Sequence, residues 1–194
     1  PAWIDHIRHF IGGQGTFDNW FGGEFIDECF VSLRGPGEAI GLHSGGDGDC
    51  KRISYQVRNG KFMCMQVNVL IALTDIGPGD GGTMVIPGSH KANFRHPEFD
   101  TYRIAPDQAN SCDGVTAAVE VHLKAGEAIV FSDAIAHGSA RRINAGQRRI
   151  VVYRYSPAFT FFRFGYRPSA ELLARLTPAR RALVWPFKPE LHPG

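Results

Sequence analysis

The sequence predicts a β-rich domain, a sandwich or barrel of short strands buttressed by helices at both ends. Three observations predict it. Twenty-three glycines and 12 prolines divide 194 residues into short segments. Several segments alternate or run apolar over strand lengths, and turn signals separate them. Fourteen phenylalanines supply rings to pack such strands together. Hydrophobic residues make up 43% and charged residues 21%, a globular rather than a disordered composition, and the length suits one domain spanning 1–194.

Taken in order, Ile4, Ile7 and Ile11 stand at helical spacing, so a short amphipathic helix is expected, ending near Gly12-Gly13. Phe25 to Leu33 is expected as a strand closed by Gly35-Pro36-Gly37. Residues 43–51 are too glycine-rich for an element and form a loop. Phe62 to Ile76 is expected as one long strand with both faces partly apolar, Gln66 and Asn68 sharing one face. The glycine-rich stretch 77–82 is a turn, not a phosphate loop, since it lacks the GxGxxG spacing. Thr83–Ile86 is a short strand, and 96–114 is a polar excursion. Strands are expected at Ala117–Leu123, Ala128–Phe131 and Arg149–Tyr155, with Ala125-Gly126 as a hairpin turn between the first two. Ser169 and Thr177-Pro178 cap two helices within about 169–185.

Charge and cysteines narrow the function classes. A net charge of +2 gives no general affinity for nucleic acid, and no apolar run approaches the ~18 residues of a membrane span. The cluster Arg141, Arg142, Arg148 and Arg149 lacks interleaved aromatic residues and is expected as a solvated face. Cys29, Cys50, Cys64 and Cys112 form no CxxC pair, which points to free thiols in a reducing cytoplasm rather than a zinc finger. The chain begins at Pro1 rather than methionine, so a missing N-terminal segment is an open expectation.

Two of the eight histidines sit where a metal site would want them. His43 opens the glycine-rich loop, and His137 follows the strand Ala128–Phe131 closely. A barrel that gathers both in its mouth would present two imidazoles to a divalent transition metal.

The segments Leu73-Thr74-Asp75, Asp80 to Lys91, Ala125 to Phe131 and His137-Gly138-Ser139 resemble, in order, those of the phytanoyl-CoA dioxygenase family. The resemblance covers about residues 30–157. It implies a double-stranded β-helix (a jelly-roll, cupin-like all-β core with flanking helices) and a non-haem enzyme using Fe(II), 2-oxoglutarate and O2 on an unactivated C–H bond of a small molecule. It further implies His43 and His137 as metal ligands, Arg148 as the grip on the far carboxylate of 2-oxoglutarate, and Ser139 as an assisting hydroxyl. Gln66 and Asn68 would face co-substrate or substrate, or be satisfied core amides. A guanidinium fork suits a carboxylate because it offers two parallel hydrogen bonds. Arg149 would point to the opposite face of the same strand.

One position departs from the family pattern. Where the family carries an iron-binding aspartate two residues after the first histidine, this chain has Gly45. Related iron halogenases carry a small residue there and bind chloride in its place, so chlorination is the expected outcome. The alternative is a hydroxylase in which Asp47 or Asp49 supplies the third ligand. A member that has lost iron, a non-catalytic cupin-like binding module, is the rival from another class.

Overall fold

The computed structural model describes residues 2–11, 23–45, 55–106, 108, 110–160 and 167–185. The expected strands fall within that range; Gly12-Gly13, Asp47, Asp49, Cys50 and the rest of the expected glycine-rich loop after Gly45 lie outside the described residues.

Helix α1 (Ile4–Ile11) buries Ile7 and Ile11, as its spacing requires. Strand β1 (Glu24–Arg34) runs to the Gly35-Pro36 break. A hairpin of β2 (Tyr55–Arg58) and β3 (Lys61–Cys64) turns at Asn59-Gly60, both with positive φ, +53° and +72°. Then come β4 (Val67–Ala72), β5 (Thr83–Val85), the short helix α2 (Phe99–Tyr102), β6 (Val119–Val121), β7 (Ala128–Ser132), β8 (His137–Ser139) and β9 (Arg148–Pro157). Helices α3 (Ala170–Arg175) and α4 (Pro178–Val184) follow. The hydroxyls of Ser169 and Thr177 accept from the backbone N–H of Leu172 and Arg180, the caps that the sequence predicts.

Two sheets make the body. The larger is antiparallel in the order β1-β9-β4-β7, and the smaller has the order β6-β5-β8. Together they form a cupin-like jelly-roll core. Alternation along β4 serves both faces. Val67 and Val69 join Ile7, Ile11 and Tyr155 beneath α1, while Leu70 and Ala72 pack with Ile150, Val152 and Phe131. Trp3 fastens the helix by donating its indole N–H to the Tyr155 hydroxyl at 3.1 Å. The smaller sheet is covered by the excursion after β5, through Phe99, Cys112 and Val115 against Leu42, Met84 and Ile86.

Two expectations are corrected. Phe62–Ile76 is not one strand, because β3 pairs with β2 while β4 pairs with β7 and β9, and the chain bends at Met65-Gln66 to change partners. Ala125-Gly126 is no hairpin turn either. β6 pairs with β5 in one sheet and β7 with β4 in the other, so that turn carries the chain between sheets. Turn chemistry marks a reversal but not the destination of the next strand.

Cys29, Cys64 and Cys112 are free thiols, the last two buried. No described helix is long and apolar enough to cross a membrane.

Gly138, in the middle of β8, sets the tightest approach in the small sheet. A Cβ there would meet the Cys112 sulfur at 2.4 Å and the carbonyl oxygens of Ile40 and Gly41 at 2.7 Å. Gly138→Ala is therefore expected to cost about 1–3 kcal/mol or more through overpacking. That is a fall of several degrees in Tm at roughly 2–4 °C per kcal/mol, read by circular dichroism melting. An unchanged Tm would mean that β8 and the 40–41 segment separate freely.

Candidate metal and oxoacid site

The two histidines meet through the backbone. His43 N–H donates to the His137 carbonyl and His137 N–H to the His43 carbonyl, each at 2.8 Å. This isolated antiparallel bridge makes them direct partners, so both side chains leave on the same face. Their ring centroids lie 4.1 Å apart.

Each ring is oriented from behind. His43 Nδ1 pairs with the Gly41 carbonyl at 2.9 Å and His137 Nδ1 with the Ile135 carbonyl at 2.8 Å. A carbonyl accepts only from a protonated nitrogen, so this network assigns the proton to Nδ1 and leaves the Nε2 lone pair to a ligand. Burial pushes both imidazoles below their ordinary pKa, and for His137 the neighbouring His43 adds to the effect. Both are held as the neutral form that binds metals. The pair therefore fits a divalent transition metal. Among the described residues no group of three His, Cys, Asp or Glu side chains is arranged to hold one.

A cavity open to solvent lies between the two sheets beside the histidines. Its large-sheet wall is polar at both ends. Arg34 and Arg148 line it at one end of β1 and β9, where they are cross-strand partners. Arg154, six residues along β9, lines it towards the other end and pairs with Glu28 at 2.8 Å. Between them stand Leu70, Phe131, Ile150 and Val152.

The structure brings together His43, His137, Asn68 and Arg148. Arg148 points inward and donates to the carbonyl of Gly81, whereas Arg149 is exposed on the opposite face. Gly81 has φ +73°, a conformation glycine adopts without strain. Asn68 donates to the buried carboxylate of Asp133 at 2.6 Å. Gly45 is buried, and its N–H donates to the Asp133 carbonyl at 2.7 Å.

Others are placed differently. Gln66 does not line the cavity; its amide donates to Asp27 at 2.7 Å and to Ser156 at 3.4 Å. Ser139 sits behind the wall, accepting from the Ile40 N–H at 2.9 Å and from Arg34. The basic cluster at 141–149 is not a single solvated face. Arg142 and Arg148 are buried, Arg142 against Asp80 at 3.0 Å, because alternate residues of these segments turn into the core. Ser89 is structural, donating to the Ile86 carbonyl and accepting from the Ala136 N–H.

Sequence reasoning passed over Arg34, Asp133 and Arg154. The sequence signal for Arg34 is alternation along β1, which puts it on one face with Phe30 and Ser32, opposite Val31 and Leu33; the structure turns the Arg34 face inward and leaves Val31 and Leu33 exposed.

Comparison with known proteins adds to this geometry. The phytanoyl-CoA dioxygenase (PhyH) family model matches residues 1–150. The dioxygenase cdmD of Talaromyces verruculosus is 28% identical over 119 residues, which is 61% of this chain and 35% of that protein. The chain thus spans about a third of the length of that curated relative. Iron-bound HygX from Streptomyces hygroscopicus has a similar structure, with a TM-score of 0.64 at 25% identity over 87% of this chain and 70% of HygX. HygX with nickel and 2-oxoglutarate bound gives the same TM-score at 24% identity, over 87% of this chain and 67% of HygX. The non-haem monooxygenase ThoJ shares the fold, with a TM-score of 0.52 at 21% identity over 81% of this chain and 52% of ThoJ.

Proposed function

We propose that this chain, which belongs to the phytanoyl-CoA dioxygenase (PhyH) family, is a non-haem Fe(II)/2-oxoglutarate-dependent oxygenase acting on a small molecule. The observation that carries the reading is the facing histidine pair with both Nδ1 atoms committed to carbonyls. His43 and His137 would hold the iron through Nε2. When bound, iron and 2-oxoglutarate together supply the oxidising power to functionalise a C–H bond with O2.

The chain's own residues have narrower tasks. Arg148, on the cavity wall, offers a forked donor to the distal carboxylate of 2-oxoglutarate. The Gly81 carbonyl fixes that guanidinium in place. Ser139 supports the same end of the cavity. Asn68 holds the Asp133 carboxylate close to the histidines. The apolar stretch of Leu70, Phe131, Ile150 and Val152 lines the space between the histidine pair and the arginines and would disfavour water there. HygX, whose structure also exists with nickel, 2-oxoglutarate and hygromycin B bound, supports a small-molecule substrate here.

A second reading concerns the group transferred. Gly45 offers no carboxylate where the family has one, and a halide in that position would lead to chlorination instead of hydroxylation. Asp47 and Asp49 are the alternative source of a third ligand and would give a hydroxylase.

His43→Ala and His137→Ala are each expected to weaken Fe(II) or Ni(II) binding by at least tenfold, since each removes one of two protein ligands, with little change in Tm. Calorimetric titration of metal checks this, and unchanged affinity in either variant would sink the assignment. Arg148→Ala is expected to raise the Kd for 2-oxoglutarate roughly ten- to hundredfold, for the loss of about 1.5–3 kcal/mol in a charged hydrogen bond. Arg149→Ala should stay within about twofold. Product mass spectrometry with and without chloride separates the two outcomes. A chlorinated product that disappears in Gly45→Asp supports halide binding, and an oxygenated product indifferent to chloride supports the hydroxylase.

A further inference from the structure

Arg34 has no place in the assignment above, yet its buried guanidinium lines the cavity. Arg34 and Arg148 are direct partners in the β1–β9 ladder, so both guanidiniums rise from one face of the sheet. Both are buried, 7% and 2% exposed, and both line the same cavity. Two like charges in that relation destabilise a sheet unless an anion lies between them.

The protein supplies no such anion among the described residues. Neither arginine makes a salt bridge there. Glu38 and Glu120 are the carboxylates that act on them electrostatically, and both are engaged elsewhere. Glu38 accepts from the Gly35 N–H, and Glu120 accepts from the Gly82 N–H at 2.8 Å and pairs with His122 at 3.3 Å. Among the described residues Arg34 donates to the Ser139 hydroxyl alone and Arg148 to the Gly81 carbonyl alone. A guanidinium carries five N–H donors, so most of this capacity is left for a ligand. Ser139 already accepts from Arg34 and from Ile40 N–H, and its own O–H finds no acceptor among the described residues.

We propose that Arg34 is the second arm of the oxoacid clamp: Arg34 and Arg148 grip the distal carboxylate of the co-substrate together, from adjacent strands, with Ser139 holding Arg34 in position. The inference rests on the oxygenase reading and deepens it. It makes Arg34 a specificity-determining residue. Two cations select a 2-oxoacid with a second carboxylate over one of equal length that ends in a methyl group, because the latter leaves both buried charges uncompensated.

The test is calorimetric binding of 2-oxoglutarate and of 2-oxopentanoate, which lacks the distal carboxylate, to the Ni(II)-loaded protein. Wild type is expected to prefer 2-oxoglutarate by at least a hundredfold. Arg34→Met should weaken 2-oxoglutarate ten- to hundredfold and leave 2-oxopentanoate within about twofold. Arg34→Lys, which keeps the charge and loses the fork, should fall between, and it carries the comparison alone if Arg34→Met does not fold. Equal weakening of both oxoacids would mean that Arg34 is merely structural and would overturn the inference. So would wild-type affinity for 2-oxoglutarate in either variant. Wild-type protein that binds Ni(II) but neither oxoacid would instead overturn the oxygenase reading itself.

Discussion

The site depends on one pair of hydrogen bonds, the reciprocal 2.8 Å contacts between the backbones of His43 and His137. They fix the register of a segment that otherwise belongs to no named strand, and register decides which face a side chain takes. A slip of one residue would replace His43 by Leu42 or Ser44 and turn the imidazole away from its partner. The approach also needs glycine at position 138, where a side chain would collide with Cys112 and the 40–41 backbone. Close packing of β8 against the Cys112 sulfur and the 40–41 backbone thus holds the two histidines along one seam.

The electrostatics of the cavity follow from the same economy of elements. Three arginines come from the facing edges of only two strands, β1 and β9. One is matched by Glu28, and two face each other without a counterion among the described residues. Burial, followed by the charges of Arg34 and Arg142, pushes the Arg148 pKa below its ordinary value. A cavity with such a polar end and an apolar middle favours an elongated ligand that is anionic at one end.

Much of this was legible in the sequence, and the reasons for the rest are physical. Strongly periodic elements stood out: the Ile4–Ile7–Ile11 stripe, the two capped helices at 169–185 and the run through β4. The identity of strand partners did not, because pairing is a long-range property that turn residues at Met65-Gln66 or Ala125-Gly126 do not encode. The hairpin turn at Asn59-Gly60 carries a recognisable turn pair, but the strands it joins are only four residues each and show little periodicity. His43, His137, Asn68 and Arg148 could be marked by their place in motifs and by alternation, and the fold gathers them. Gln66 shares the strand face of Asn68 by count, but it stands before β4 begins and turns to Asp27. Arg34 escaped notice because inward burial of an arginine contradicts the usual expectation for charge, and only the cross-strand register reveals its partner.

The pairing of His43 with His137 has a mechanical consequence as well. These residues are roughly ninety positions apart in the chain, and the cysteines of the described residues form no disulfide. A metal shared by the two imidazoles would act as a removable staple across that long loop, and closing a long loop restricts the unfolded chain more than closing a short one. Loading the site would then add a side-chain link to the backbone bridge that already joins the 40–45 segment to β8.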